Sequence, residues 1–316
     1  MNSSSQVTAD APVEVHEQPW PAGVLTALAA AGLDPADVRR VLDAALAEDL
    51  AYGPDATTAA IVPDDAVVTA TFGSRQEGVL AGVPVVEALL RTRLTGAAVT
   101  VHLADGAPVR PGDVVLTVTA RAAELLTVER TALNLITHLS GIATATRAWV
   151  DVVAGTGCRI RDTRKTLPGL RTLEKYAVRC GGGTNHRMGL GDAVLIKDNH
   201  VAVAGSITAA MDAAGRRAGQ LPTEVEVDRF DQLEEAIACG ADLVLLDNWT
   251  VEQCRQGVQR ARGTGTRLEA SGGLTLDVAA AYAATGVDFL AVGGLTHTVT
   301  ALDLGLDIDL AGIARQ

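Results

Sequence analysis

From Gly157 onward, six short apolar runs (CRI, AVLIK, TEVEVD, DLVLLD, TRLEA and VDFLAV) alternate with helical segments. Those after AVLIK recur at intervals of roughly 20 to 30 residues. Consecutive βα units of this kind leave little architectural choice, and they predict an α/β fold whose second part is a (β/α) barrel. The way each run ends narrows the reading further. Arg161-Asp162, Lys197-Asp198-Asn199-His200, Glu226 with Asp228, Asp247-Asn248, Glu269 before Ser271, and Gly293-Gly294 all fall at C-terminal strand edges. That is the face on which barrel enzymes assemble their sites. One polar ending merely marks where a strand leaves the core, but six in succession outline a site.

The chain before the barrel reads differently. Residues 1–20 are polar and acidic without hydrophobic periodicity, and are expected to form a disordered tail. Asp34-Pro35 supplies an N-cap and a first-turn proline for a helix reaching about Leu50. The runs VVTATF, AVTVHL and DVVLTVT, separated by Gly, Pro and Asp turns, alternate as strands do, with an amphipathic helix near 84–93. A helical stretch follows over about 122–154. The expected division is an N-terminal α/β domain over 21–133 and a barrel over 134–296, with 297–316 packing back on the first domain.

Composition excludes several functions. A net charge of -12 and 3% aromatic residues are wrong for a nucleic-acid surface. The sequence holds no run of 18 or more apolar residues and its first basic residue is Arg39, so neither a membrane span nor a signal peptide is expected, and the cytoplasm is the expected location. Cys158, Cys180, Cys239 and Cys254 have no C-x-x-C spacing and read as reduced thiols.

Against this acidic background, the segment from Arg159 to Lys197 holds nine basic residues and three acids. It also holds all three lysines of the chain, Lys165, Lys175 and Lys197, although the sequence carries 26 basic residues. Coding preference for arginine explains scarcity of lysine but not its clustering, so a compact ammonium is required at one or more of these positions. Pro168 can start a helix just after Lys165, and the glycines at 181–183 can end it after Cys180. Such a turn would bring Arg164, Lys165, His186, Arg187 and Lys197 toward one mouth, suited to a multiply anionic ligand. Arg171, Lys175 and Arg179, on helical spacing, read as a solvated face, and Lys175→Arg is expected to be nearly silent.

Two glycine pairs, in SGGL (271–274) and VGGLTH (292–297), follow the last two predicted strands, where backbone N–H groups can cradle phosphate. Glu226 and Asp247 could hold Mg²⁺ through water, bind sugar hydroxyls, or balance the lysines in an ion-pair network. Arg130, Asn134 and His138 share one face of an otherwise apolar helix. That stripe fits a core network, or a face turned toward a cavity or a second subunit.

ERTALNLITHLSGIAT, RDTRKTLPGLRTLEKYAVRCGGGTNHRMGLGDAVLIKDNH, EVEVD, LLDN, EASGGL and AVGGLTH together resemble the quinolinate phosphoribosyltransferase family over about residues 30–310. The resemblance implies an N-terminal α/β sandwich, an incomplete (β/α) barrel, and a homodimer. It implies transfer of phosphoribose from PRPP to quinolinate with loss of CO₂, giving nicotinate mononucleotide and pyrophosphate. By its motifs, Arg130, Arg164, His186, Arg187 and Lys197 surround the quinolinate dicarboxylate, with Arg130 reaching into the partner subunit. Lys165, Glu226 and Asp247 serve PRPP and Mg²⁺, and Ser271, Gly272, Gly293, Gly294 and His297 line the phosphate region. Lys165, Lys197, Glu226 and Asp247 are the residues expected to carry catalysis. Met188 and Gly294 depart from the commoner leucine and alanine, and Lys175 receives no role. A Schiff-base aldolase acting on a phosphosugar is the rival enzyme class, since it too would place a lysine at a strand end beside phosphate.

Overall fold

The computed structural model describes residues 19–309. The expected N-terminal tail lies outside them except for its last two residues, as do residues 310–316 of the C-terminal segment. The described chain opens with α1 (Ala22–Ala30), α2 (Pro35–Asp49) and α3 (Ala56–Ile61). It continues through β1 (Val67–Ser74), β2 (Gly78–Val79), α4 (Val83–Arg93), β3 (Ala98–Val101), β4 (Pro108–Val109), β5 (Val114–Arg121) and α5 (Ala122–Val152). The Asp34 carboxylate caps α2 by accepting the Ala36 N–H at 2.9 Å, with proline at the first helical position. Burial alternates along β1, so Val68, Ala70 and Phe72 face the core while the residues between them do not.

The second part comprises β6 (Arg159–Arg161), α6 (Arg171–Cys180), β7 (Val194–Ile196), α7 (Asp198–Ala204), α8 (Ile207–Arg217) and β8 (Thr223–Val227). After these come α9 (Phe230–Ala238), β9 (Leu243–Asp247), α10 (Val251–Ala261), β10 (Arg267–Ser271), α11 (Leu276–Ala283), β11 (Phe289–Ala291), α12 (Gly294–His297) and β12 (Leu304–Ile308). The six strands β6-β11-β10-β9-β8-β7 form one parallel sheet in that order. With β6 and β7 at its two edges, this is the incomplete (β/α) barrel.

Two features join the parts. The last strand, β12, returns to the N-terminal side and pairs antiparallel with β1 (Ala70 opposite Ile308), giving the sheet order β12-β1-β5-β3. The junction expected between residues 133 and 134 falls inside α5, which runs 31 residues without a break. This helix buries residues along nearly its whole length, from Leu125 to Trp149, because it packs against α4 on one side and α6 on the other.

Alternation in the barrel strands separates two environments. Val225, Val227, Val244, Leu246, Leu268 and Leu290 are buried in the hydrophobic core. Residues of the opposite parity, Arg161, Glu224, Glu226 and Glu269, carry charge into the barrel interior. Among the described residues, no helix is long and apolar enough to cross a membrane.

Candidate active site

A cleft of about 590 Å³ opens at the C-terminal ends of the barrel strands. Arg164, Lys165, His186, Arg187, Lys197, Glu226, Asp247, Ser271, Gly272, Gly293, Gly294 and His297 all line it, joined by Glu269. A larger cleft of about 870 Å³ lies between α2, α3 and the start of α5, but its walls are mostly apolar and it lacks a comparable convergence of charge. Arg130 is the exception among the expected residues. It is exposed on α5 and does not line the barrel cleft of its own chain.

The loop after β6 delivers Arg164 and Lys165, and α6 starts later than Pro168 suggested. Gly169 sits at φ +80°, which an α-helix cannot accommodate, so the helix begins at Arg171. Glu174, fully buried on α6, ties this loop down by accepting the Leu167 N–H at 3.1 Å and bonding His138 Nε2 at 2.8 Å. The expectation of a solvated face on α6 holds for Arg179, which is exposed, and fails for Lys175, with Arg171 half-buried between them. Lys175 is fully buried, Arg171 reaches Thr166 and the Met188 carbonyl, and Arg179 reaches Asn185 and the Ala31 carbonyl. Each side chain serves a tertiary contact that helical spacing alone does not reveal.

On the β6–β7 side, the Nε atoms of Arg164 and Arg187 are buried without a hydrogen-bond partner among the described residues. Burial, and then the neighbouring Arg164 charge, lower the pKa of Arg187. Its Nη1 donates to the Ala193 carbonyl at 3.1 Å, which fixes the side chain. Lys197 forms an ion pair with Glu226, so the lysine-balancing role considered for that carboxylate is realised. The backbone of Lys197 is itself held, donating its N–H to His200 Nδ1 at 2.9 Å.

His186 forms part of the floor. Its Nδ1 accepts the Arg187 N–H at 2.7 Å, which places the proton on Nε2, 2.8 Å from a Glu224 oxygen. Both ring nitrogens are therefore engaged by the protein, and His186 lines the cleft as a fixed wall. Sequence reasoning passed over Glu224 and noted Glu269 only as a polar strand ending, without a role. Glu269 pairs with Arg161 through Oε2, while its Oε1 lies 3.7 Å from His186 Nε2. Burial first, and then the Glu224 charge, push its carboxyl up to about 7, outweighing Arg161 and His186. His186, Glu224 and Glu269 are close enough to ligate a metal ion; Glu224 Oε2 is taken by His186 and Glu269 Oε2 by Arg161, while Oε1 of each carboxylate is buried without a hydrogen-bond partner among the described residues. The only sequence sign of Glu224 was its shared parity with Glu226 in TEVEV.

The opposite side is backbone. Gly272 and Gly273 both have positive φ (96° and 58°), and a Cβ at Gly272 would overlap the Asn248 amide. A Cβ at Gly293 would lie 2.8 Å from Lys165 Cδ, so glycine gives the lysine its path into the cleft. Asn248, the one described non-glycine residue with positive φ, donates its side-chain amide to Asp247 at 2.8 Å. It thereby aims that carboxylate at the mouth.

Residues 55–140 match the family described as quinolinate phosphoribosyl transferase, N-terminal domain, and residues 142–307 match its C-terminal domain. The chain is 54% identical over 274 residues to the nicotinate-nucleotide pyrophosphorylase [carboxylating] of Mycobacterium leprae, covering 85% of this chain and 96% of that one. Among solved structures, the nicotinate-nucleotide pyrophosphorylase of Francisella tularensis superposes with a TM-score of 0.84 at 39% identity, covering 88% of this chain and 98% of that one. NadC from Streptococcus pyogenes superposes with a TM-score of 0.83 at 37% identity, covering 88% and 99%.

Proposed function

Because the chain belongs to the quinolinate phosphoribosyltransferase family, a family of pentosyltransferases that convert quinolinate and PRPP to nicotinate mononucleotide, pyrophosphate and CO₂ in NAD biosynthesis, we propose how its cleft divides the two substrates. Quinolinate takes the β6–β7 side, where Arg164, Arg187 and Lys197 meet its carboxylates above His186. The observation that carries this division is the pair of buried, unpartnered Nε atoms on adjacent guanidiniums. Two such cations repel until an anion enters, and a dicarboxylate offers each of them a charge-assisted partner. PRPP takes the other side, with Lys165 and Asp247 at its pyrophosphate and ribose. Ser271, Gly272, Gly293, Gly294 and His297 lie around its phosphate.

The chemistry follows from that placement. The C1–O bond of PRPP breaks with its electron pair leaving on pyrophosphate, and the quinolinate nitrogen lone pair forms the new bond to C1. Developing negative charge on the leaving group is met by the Lys165 ammonium, already positioned against Gly293. The ring, now cationic, accepts the electron pair released when the bond between C2 and its carboxylate breaks. CO₂ departs and a proton returns to C2. Arg164 and Arg187 hold the dicarboxylate so that the nitrogen faces C1, which is where most of the rate gain from orientation arises.

Mg²⁺ fits the PRPP side. Glu226 and Asp247 are hard oxygen donors on adjacent strands, and two carboxylates supplemented by substrate oxygens are the usual protein share of a magnesium site. Bound there, the ion would offset charge on the leaving pyrophosphate.

The enzyme acts as a homodimer with Arg130 contributed to the partner's site. Supporting this, Arg130 is exposed on α5 and absent from its own chain's cleft. The four cysteines are free, and burial pushes the Cys158, Cys180 and Cys254 thiols up to about 12, which suits a reducing cytoplasm.

Arg164→Gln tests the division: KM for quinolinate should rise and KM for PRPP should not, and the reverse pattern would refute it. Mixed refolding of inactive Arg130→Ala and Lys197→Ala dimers tests sharing. Half the randomly paired dimers are hybrids with one intact site each, so activity should recover to about a quarter of wild type. No recovery after verified subunit exchange would assign Arg130 to its own subunit.

A further inference from the structure

Lys175, the lysine without a role in the chemistry above, is fully buried, as is its ion-pair partner Asp162. The two grip a single residue. Lys175 Nζ donates to the His186 carbonyl at 2.9 Å, and Asp162 Oδ1 accepts the His186 N–H at 2.8 Å. Asn185, one residue earlier, donates its side-chain amide to Asp162 Oδ2 at 2.5 Å and to the Lys175 carbonyl at 2.8 Å. A buried ion pair seldom stabilises a fold more than well-packed apolar side chains would, so its presence calls for another reason. Here the additional hydrogen bonds converge on the backbone of one residue lining the cleft.

We propose that Lys175 and Asp162 are positioning residues for the quinolinate side. They clamp both backbone polar groups of His186, which aims its ring at Glu224 and sets the chain direction into Arg187, whose N–H bonds that same ring. Arginine cannot replace lysine here, because a guanidinium is longer and planar and the buried site around Nζ is filled. The lysine cluster thus has two explanations: Lys165 and Lys197 reach into the cleft, while Lys175 braces it from beneath. The clamp does not touch Lys165, Asp247 or the glycine loops.

This inference rests on quinolinate meeting Arg187, and steady-state kinetics of four variants separate the two claims. Lys175→Met should lower kcat/KM for quinolinate by about 10- to 100-fold through misplacement of Arg187, with KM for PRPP within about twofold of wild type. Lys175→Gln keeps a donor for the His186 carbonyl and should recover part of the loss. Asp162→Asn keeps an acceptor for the His186 N–H and should give the same pattern more mildly. Arg187→Gln is the control: if it leaves quinolinate kinetics unchanged, the substrate placement itself is wrong. If Arg187→Gln loses quinolinate and a folded Lys175→Met does not, the clamp alone is rejected. Should Lys175→Met fail to fold, folded Lys175→Gln and Asp162→Asn decide, and an equal loss for both substrates in either one overturns the proposal in favour of a purely structural ion pair.

Discussion

The two sides of the cleft are made of different materials. Beside β6 and β7 the lining is long side chains, and Arg187 and Lys197 are held there by the Ala193 carbonyl and by Glu226. Beside β10 and β11 it is backbone, with Gly272, Gly273 and Gly293 leaving room for whatever approaches and Lys165 laid against the last of them. Fixed guanidiniums distinguish ligands by the number and placement of their carboxylates, because each unsatisfied cation in a dry site is costly. Glycine backbone holds a phosphate through N–H groups and is indifferent to what the phosphate is attached to, but it fails when a Cβ intrudes. One side should therefore be sensitive to substrate chemistry, and the other to local shape.

The largest effect expected from this contrast concerns the substrate. Nicotinate lacks the 2-carboxylate and leaves one buried cation without its partner, a loss of roughly 2 to 5 kcal/mol. Its kcat/KM should fall correspondingly below that of quinolinate, and comparable values for the two acids would remove the distinction between the sides. Next in size is Lys165→Met. Lys165 is exposed, so the variant should fold normally while kcat drops by about 10²- to 10³-fold from loss of one charge at the leaving group. An unchanged kcat would mean that the glycine side works by backbone alone.

A smaller effect isolates shape from charge. Gly293→Ala adds a methyl group 2.8 Å from Lys165 Cδ, a contact that the flexible lysine can relieve only by moving. KM for PRPP should rise by about tenfold with quinolinate kinetics little altered. Equal changes for both substrates would show that the two sides are mechanically joined through Lys165.

The same contrast governs what could be read from the sequence. Glycine pairs at consecutive strand ends and a basic cluster in an acidic chain are local signals, and the mouth was legible from them almost residue by residue. The strand alternation likewise fixed the six barrel strands. The interior was not legible. In TEVEV a lumen-facing glutamate and a solvent-facing one have the same period, so Glu224 drew no attention, and Glu269 was noticed only as a polar ending. In LEKYAV, Lys175 reads as part of a solvated face and Glu174 as one acid in a basic segment. Their partners, His138 and Asp162, lie 36 and 13 residues away and meet them only in the folded chain. The start of α6 was misplaced because Pro168 gave a plausible first turn, while the backbone of Gly169 carried the decisive constraint.

Glu269 stands on the floor beneath both sides, and its ionisation gives an effect on stability that is separable from substrate kinetics. Its ordinary value is 4.5 and its folded value about 7, because burial and the Glu224 charge outweigh Arg161 and His186. Below pH 4.5 the group is protonated in both folded and unfolded chains and makes no pH-dependent difference. Between 4.5 and about 7 the unfolded chain loses the proton while the folded chain keeps it, so the folded state binds more protons and stability falls as pH rises. The full loss, about 3 kcal/mol, is in place above pH 7 or so. Glu269→Gln removes this titration while leaving an oxygen for Arg161. The melting temperature of the variant relative to wild type should therefore climb between pH 4.5 and 7.5, by roughly 5 °C in total, and then level off. A difference that stays flat across that range would mean that Arg161 holds Glu269 ionised throughout. The floor would then carry a standing negative charge under an incoming dicarboxylate, and Arg164 and Arg187 would have to overcome it before either could discriminate.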